Sequence, residues 1–111
     1  KATESGSWSI IHSNCGTLEG KLAGLLLGLG HDISLVSRNR DGMTRMTARA
    51  TNLATSQGIS LAEIMSNVAL QIGGEGGGHD GAAGWSGKAD MITAESSFIS
   101  NVAKITRRSD D

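Results

Sequence analysis

Cysteine occurs once in this sequence, proline and tyrosine do not occur, and the aromatic residues are two Trp and one Phe. A lone Cys excludes a disulfide framework and any Cys-based zinc site, and it suits a reducing interior. Long hydrophobic runs are missing too. The longest, Leu22 to Leu29, is interrupted by Gly and falls far short of the ~20 residues of a membrane span. Nor does either charge dominate: ten Lys and Arg face eleven Asp and Glu, for a net charge of -1. That balance excludes a globally basic nucleic-acid coat and a polybasic membrane binder, so any anion-binding role must come from a local cluster. The first residue is Lys1 and no signal-peptide pattern follows, so the expectation is a soluble cytoplasmic domain cut from a longer protein. Its 111 residues, without repeat or linker, fit a single domain spanning 1–111.

What the sequence does have is glycine, sixteen in all, eight of them between Gly73 and Gly87. Around that stretch the pattern alternates between strand and helix periods. Ser7 to Ser13 reads as a first strand, and the stripe Leu18, Leu22, Leu25, Leu26 and Leu29 as an amphipathic helix ending at Gly28 or Gly30. Gly20, Gly24 and Gly28, four apart, predict a helix face in tight contact with a neighbour. His31 to Arg38 and Met43 to Ala50 read as strands joined by the turn Asn39-Arg40-Asp41-Gly42. On the returning strand Met46, Ala48 and Ala50 point one way, and Arg45, Thr47 and Arg49 the other.

After a polar connection, Ser60 and Glu63 form a capping box for a helix buried through Leu61, Ile64, Met65, Val68 and Ile72 and stopped by Gly73-Gly74. A glycine loop then leads into a short strand from Ala82 to about Lys88. Asp90 or Thr93 caps a last helix with the stripe Ile92, Phe98, Ile99, Val102 and Ile105. The expected fold is a small α/β domain, a mixed sheet with a central hairpin and three helices packed on it.

Two features bear on chemistry. Arg38, Arg40, Arg45 and Arg49 fall on one hairpin, offset only by Asp41. Guanidinium groups match two phosphate oxygens at once. Arg38 and Arg40 read as a solvated turn, whereas for Arg45 and Arg49 a solvated strand face and an anion-binding face stand side by side. The second feature is Gly76-Gly77-Gly78-His79, followed by Asp80-Gly81-Ala82-Ala83-Gly84. Three consecutive Gly allow backbone N–H groups to converge on an anion, and the imidazole of His79 can donate to a phosphate oxygen. Gly76-x-Gly78-x-x-Gly81 matches the dinucleotide fingerprint by letter, but it follows a helix rather than a strand. Gly87-Lys88 lacks the Ser or Thr of a P-loop. His12, His31 and His79 are scattered, Cys15 near His12 reads as a buried thiol, and no paired carboxylates occur beyond Asp110-Asp111. No complete active site is visible.

The run Gly-Gly-Gly-His-Asp-Gly-Ala-Ala-Gly at 76 to 84 resembles the signature of the DHH-associated domain, the C-terminal substrate-binding domain of the DHH phosphoesterases. That superfamily includes RecJ-type single-strand exonucleases, oligoribonucleases and cyclic-dinucleotide phosphodiesterases, and Glu75 before the Gly triplet is similar to archaeal RecJ-like proteins. The resemblance implies that Gly76, Gly77, Gly78 and His79, with Arg49, hold a substrate phosphate beside a separate metal-bearing domain; Arg45, from the arginine cluster, is the further phosphate-binding candidate. Thr47-Ala48-Arg49-Ala50 falls where the family has a Ser-x-Arg-Ser-like strand, with Ala50 lacking the second hydroxyl. The chain has no Asp-His-His run, so it implies a non-catalytic piece with no cofactor of its own. Mn or Mg belongs to the absent catalytic DHH domain of the same polypeptide. Expected partners are single-stranded nucleic acid or an oligonucleotide, that catalytic domain, and replication or repair proteins; no membrane is expected. The competing readings are an alanyl-tRNA-synthetase-type appendage and a non-catalytic interaction domain docking through the Leu-rich first helix.

Overall fold

The computed structural model describes residues 2–14 and 19–109, apart from the side chains of residues 19, 20, 22 and 26. Its elements in order are β1 (Ala2–Ser5), β2 (Trp8–Asn14), α1 (Glu19–Leu27), β3 (Ile33–Arg40), β4 (Met43–Ala50), α2 (Asn52–Ser56), α3 (Leu61–Ile72), β5 (Glu75–His79), β6 (Ala82–Gly87) and α4 (Met91–Ala103). Six strands form one mixed sheet in the order β1-β2-β3-β4-β6-β5, in which β2 and β3 are parallel and the other neighbours antiparallel. The α/β architecture and the central hairpin are as the sequence predicts.

Local chemistry accounts for the boundaries. The β3–β4 turn places Asp41 and Gly42 at φ 53° and 80°, the left-handed pair that matches the twist of a two-residue hairpin. The Ser60 side chain accepts from the Glu63 N–H at 3.3 Å to start α3, and Gly73 at φ 83° ends it. Asp90 caps α4 by accepting from the Thr93 N–H at 2.7 Å, and that hydrogen bond, with a second from the Thr93 side chain, holds its carboxyl below the usual carboxylate range.

The main core lies between one sheet face and helices α3 and α4. Trp8, Ile10, Ile33, Leu35, Met46, Ala48 and Trp85 meet Ile64, Met65, Val68, Ala94, Phe98 and Val102 there. On the opposite face α1 packs over β3, and the Ser34 hydroxyl donates to the Ala23 carbonyl at 2.6 Å. Covered on both sides, Ile33 to Ser37 are all buried, so β3 loses the alternation of a half-exposed strand. A cluster at the sheet's lower end closes the chain on itself. Arg107 pairs with Asp32 at 2.7 Å, donates to the Ser7 carbonyl, and stacks 4.1 Å over the Trp8 ring.

Several expectations are corrected. The Gly-rich segment at 75 to 79 is an edge strand rather than a loop. Gly has poor intrinsic β propensity, and pairing with β6 decides the matter. The N-terminal strand β1 and the short helix α2 were not expected, which makes four helices instead of three. Leu25 on α1 and Leu29 beyond its end are exposed, and a Cβ on Gly24 would meet open space, so Gly24 makes no tight contact. Cys15, Leu18, the surroundings of Gly20 and the side chains of Leu22 and Leu26 lie outside what is described. On α4, Ile92 is 78% exposed while Ala94 is buried, and Ile105 falls beyond the helix.

Candidate functional site

Helix α1 lies over β3 and also packs against β4. Ser34 and Val36 are fully buried beneath it, while Arg45, Arg49, Gly77 and His79 are exposed. Beyond the helix, the β6–β5 part of that face and the Arg45 and Arg49 positions of β4 are open, and strand register sets what they display. Arg49 pairs with Ala82, and Ala82 with His79; directly opposed residues share a face. Arg49 and His79 thus project from the same side across one intervening methyl group. Two strand spacings, about 9.6 Å, separate their backbones, within the combined reach of a guanidinium and an imidazole aimed at one small anion. The next row is Thr47, Gly84 and Gly77, and the row after it Arg45, Ser86 and Glu75. Ala82, Gly84 and Gly77 form a floor without bulk.

The turn that carries His79 is held from three directions. The Ser60 hydroxyl donates to the Asp80 carboxylate at 2.7 Å, the Leu61 N–H to the Asp80 carbonyl at 2.9 Å, and the Ala50 N–H to the Gly81 carbonyl at 3.0 Å. Asp80 and Ser60 thereby fix the backbone turn that follows His79. Sequence reasoning passed over Asp80, although an Asp-Gly pair before alternating residues is itself a hairpin signal.

The three glycines of the triplet do different things. Gly76 and Gly78 occupy the core-facing register. A Cβ on Gly76 would overlap the Met65 backbone oxygen of α3, and one on Gly78 would come within 2.6 Å of the Ala82 oxygen. Gly77 faces the open side with nothing within 4 Å of a Cβ. Because β5 is a strand, its amides alternate in direction and do not converge into the concavity expected of a loop. Ala50, at the second hydroxyl position of the family strand, points into the core.

A groove of about 380 Å³ runs over this face, lined by Arg45, Thr47, Glu75, Gly77, Gly84 and Ser86 among others. It lies toward the Arg45 end, and neither Arg49 nor His79 borders it. Among the described residues, neither Arg45 nor Arg49 has an ion-pair partner. Also among the described residues, no group of three or more His, Cys, Asp or Glu gathers to hold a metal, and no helix is long and apolar enough to cross a membrane. The exposed side chains of this face offer hydrogen-bond donors to an anion; away from it, the Ser9 hydroxyl meets the His31 ring at 2.7 Å.

Comparison with known proteins agrees with this layout. The C-Ala domain of Aquifex aeolicus alanyl-tRNA synthetase superimposes with a TM-score of 0.74 at 15% identity, over 93% of this chain and 98% of that one. A DHH domain described as a member of the s1p family of ribosomal proteins gives 0.65 at 18%, over 95% of this chain. An uncharacterized protein from Helicobacter pylori G27 gives 0.59 at 20%, over 90%. This chain spans 28% of the length of each of the latter two. At such identities the likeness is one of fold. No curated protein matches the sequence. The DHHA1 domain family model, however, matches residues 19–105, from the first helix through both hairpins to the end of α4, and the chain belongs to that family.

Proposed function

We propose that this chain is the substrate-holding domain of a cytoplasmic DHH-family phosphoesterase of the RecJ-like kind. In this reading a phosphate of single-stranded nucleic acid sits between His79 and Arg49 while a separate domain of the same polypeptide performs metal-dependent hydrolysis. The observation that carries the reading is the Arg49–Ala82–His79 row on an open, small-residue face. A guanidinium supplies a bidentate, charge-assisted contact, the imidazole a second donor, and the glycine floor lets a sugar-phosphate backbone lie close. Holding the phosphate fixed contributes to catalysis by orientation alone. Among the described residues no group of His, Cys, Asp or Glu gathers for a metal, and this reading assigns the metal's chemistry to the separate domain.

The test is binding of a single-stranded oligonucleotide at two salt concentrations. Arg49→Ala is expected to weaken affinity about tenfold, the value of one charge-assisted hydrogen bond. It should also flatten the dependence of log K on log salt by about 0.7. Equal affinity and equal slope would remove the site. Gly77→Val is expected to bind at least about tenfold more weakly while unfolding at nearly the wild-type temperature, since its side chain enters the groove without touching the core.

The fold likeness to the C-Ala domain favours a second reading, a tRNA-binding appendage. Retention of tRNA but not single-stranded DNA, insensitive to Arg49→Ala, would select it.

A further inference from the structure

We propose that Arg45, with Arg38 directly opposite it and Arg40 at the hairpin end, forms a second phosphate-binding subsite on the same face. The substrate is then a strand several nucleotides long rather than a dinucleotide. This rests on the reading of Arg49 and His79 as the first subsite. Arg38 and Arg45 are register partners on β3 and β4, so both point to the open side, and Arg40 lies two residues beyond Arg38 in the same orientation. Arg38 already has a contact within the chain, while Arg40 and Arg45 are exposed cations without an ion-pair partner among the described residues. A second cavity of about 290 Å³, lined by Arg38, Arg40, Thr44, Arg45 and Ser86 among others, meets the first groove at Arg45 and Ser86. The two form one continuous surface running along β4.

Two acidic residues share this surface, Asp41 at the turn and Glu75 two strands from Arg45. Three arginines, Arg38, Arg40 and Arg45, therefore outnumber the two acids on it, in a chain whose net charge is -1. Arg45 and Arg49 are four residues apart on one strand, about 13 Å. In a stacked strand with roughly 3.4 Å per nucleotide, that gap spans about four nucleotides, and fewer in an extended one. A stacked dinucleotide anchored at Arg49 stops short of Arg45, whereas a longer strand lying along β4 engages both.

The experiment measures binding of a 5′-phosphorylated dinucleotide and of a single-stranded oligonucleotide of about eight nucleotides. It compares the full chain with its Arg45→Ala and Arg49→Ala variants, with thermal unfolding as a fold control. Arg45→Ala is expected to weaken the long ligand about five- to tenfold and flatten its salt slope by about 0.7, while leaving dinucleotide affinity unchanged. Arg49→Ala is expected to weaken both ligands. If Arg45→Ala leaves the long ligand untouched, or weakens both ligands alike, the second subsite is overturned. If instead Arg49→Ala changes neither ligand, the failure belongs to the first subsite.

Discussion

Gly76→Ala should abolish cooperative folding, while Gly77→Ala, one residue further on, should leave stability within about 0.5 kcal/mol of wild type. A Cβ at position 76 would overlap the backbone oxygen of Met65, with the Met65 carbonyl carbon and Cβ close behind. Backbone atoms of a helix cannot rotate away as a side-chain end can. To relieve the overlap, α3 must separate from β5, which exposes Met65, otherwise fully buried, at the centre of the core. The cost exceeds the ~1–3 kcal/mol of ordinary overpacking, because the obstruction is main chain. At Gly77 the added methyl meets nothing and the backbone angle needs no glycine, so the lost packing is nil. Far-ultraviolet circular dichroism and urea titration of the two variants measure the contrast. Equal stability would mean that β5 and α3 are not packed as described.

Trp8→Ala is expected to lose about 3–5 kcal/mol, the range for removing a large buried aromatic. Trp8 is fully buried, its indole N–H donates to the Ile105 carbonyl at 2.9 Å, and its ring carries the Arg107 guanidinium. Truncation opens a cavity, leaves a carbonyl at the end of the chain unpaired, and loosens the Arg107–Asp32 pair that ties the tail to the start of β3. Trp8→Phe separates these contributions: it keeps most of the packing and loses the hydrogen bond, for about 1–3 kcal/mol. Urea midpoints of the two variants check the order. A loss below about 1 kcal/mol for Trp8→Ala would mean that the C-terminal segment is not held by this ring.

Much of the site was legible because strand alternation is a local rule. Arg45, Thr47 and Arg49 lie on one face of β4, opposite Met46, Ala48 and Ala50, as a period of two requires. The Asp41-Gly42 turn and the Ser60 and Asp90 caps follow equally from nearest neighbours. The glycine segment was not legible, since a run of Gly carries no periodicity and its state depends on a partner strand. Its neighbours then sort the glycines: Gly76 and Gly78 against the core, Gly77 toward the groove. The exposed Leu25, Leu29 and Ile92 show the reverse error, in which a helical stripe predicts burial but no element arrives to cover it.

By itself, then, the sequence determined the α/β class, the central hairpin, most helix caps and the membership announced by residues 76 to 84, because each depends on residues a few positions apart. Tertiary structure alone decided that His79 stands in one row with Arg49, thirty positions earlier. The physical reason is that β6 inserts between β4 and β5. That strand order follows from how α3 and α4 cover one sheet face, a matter of packing between distant segments that no local pattern encodes.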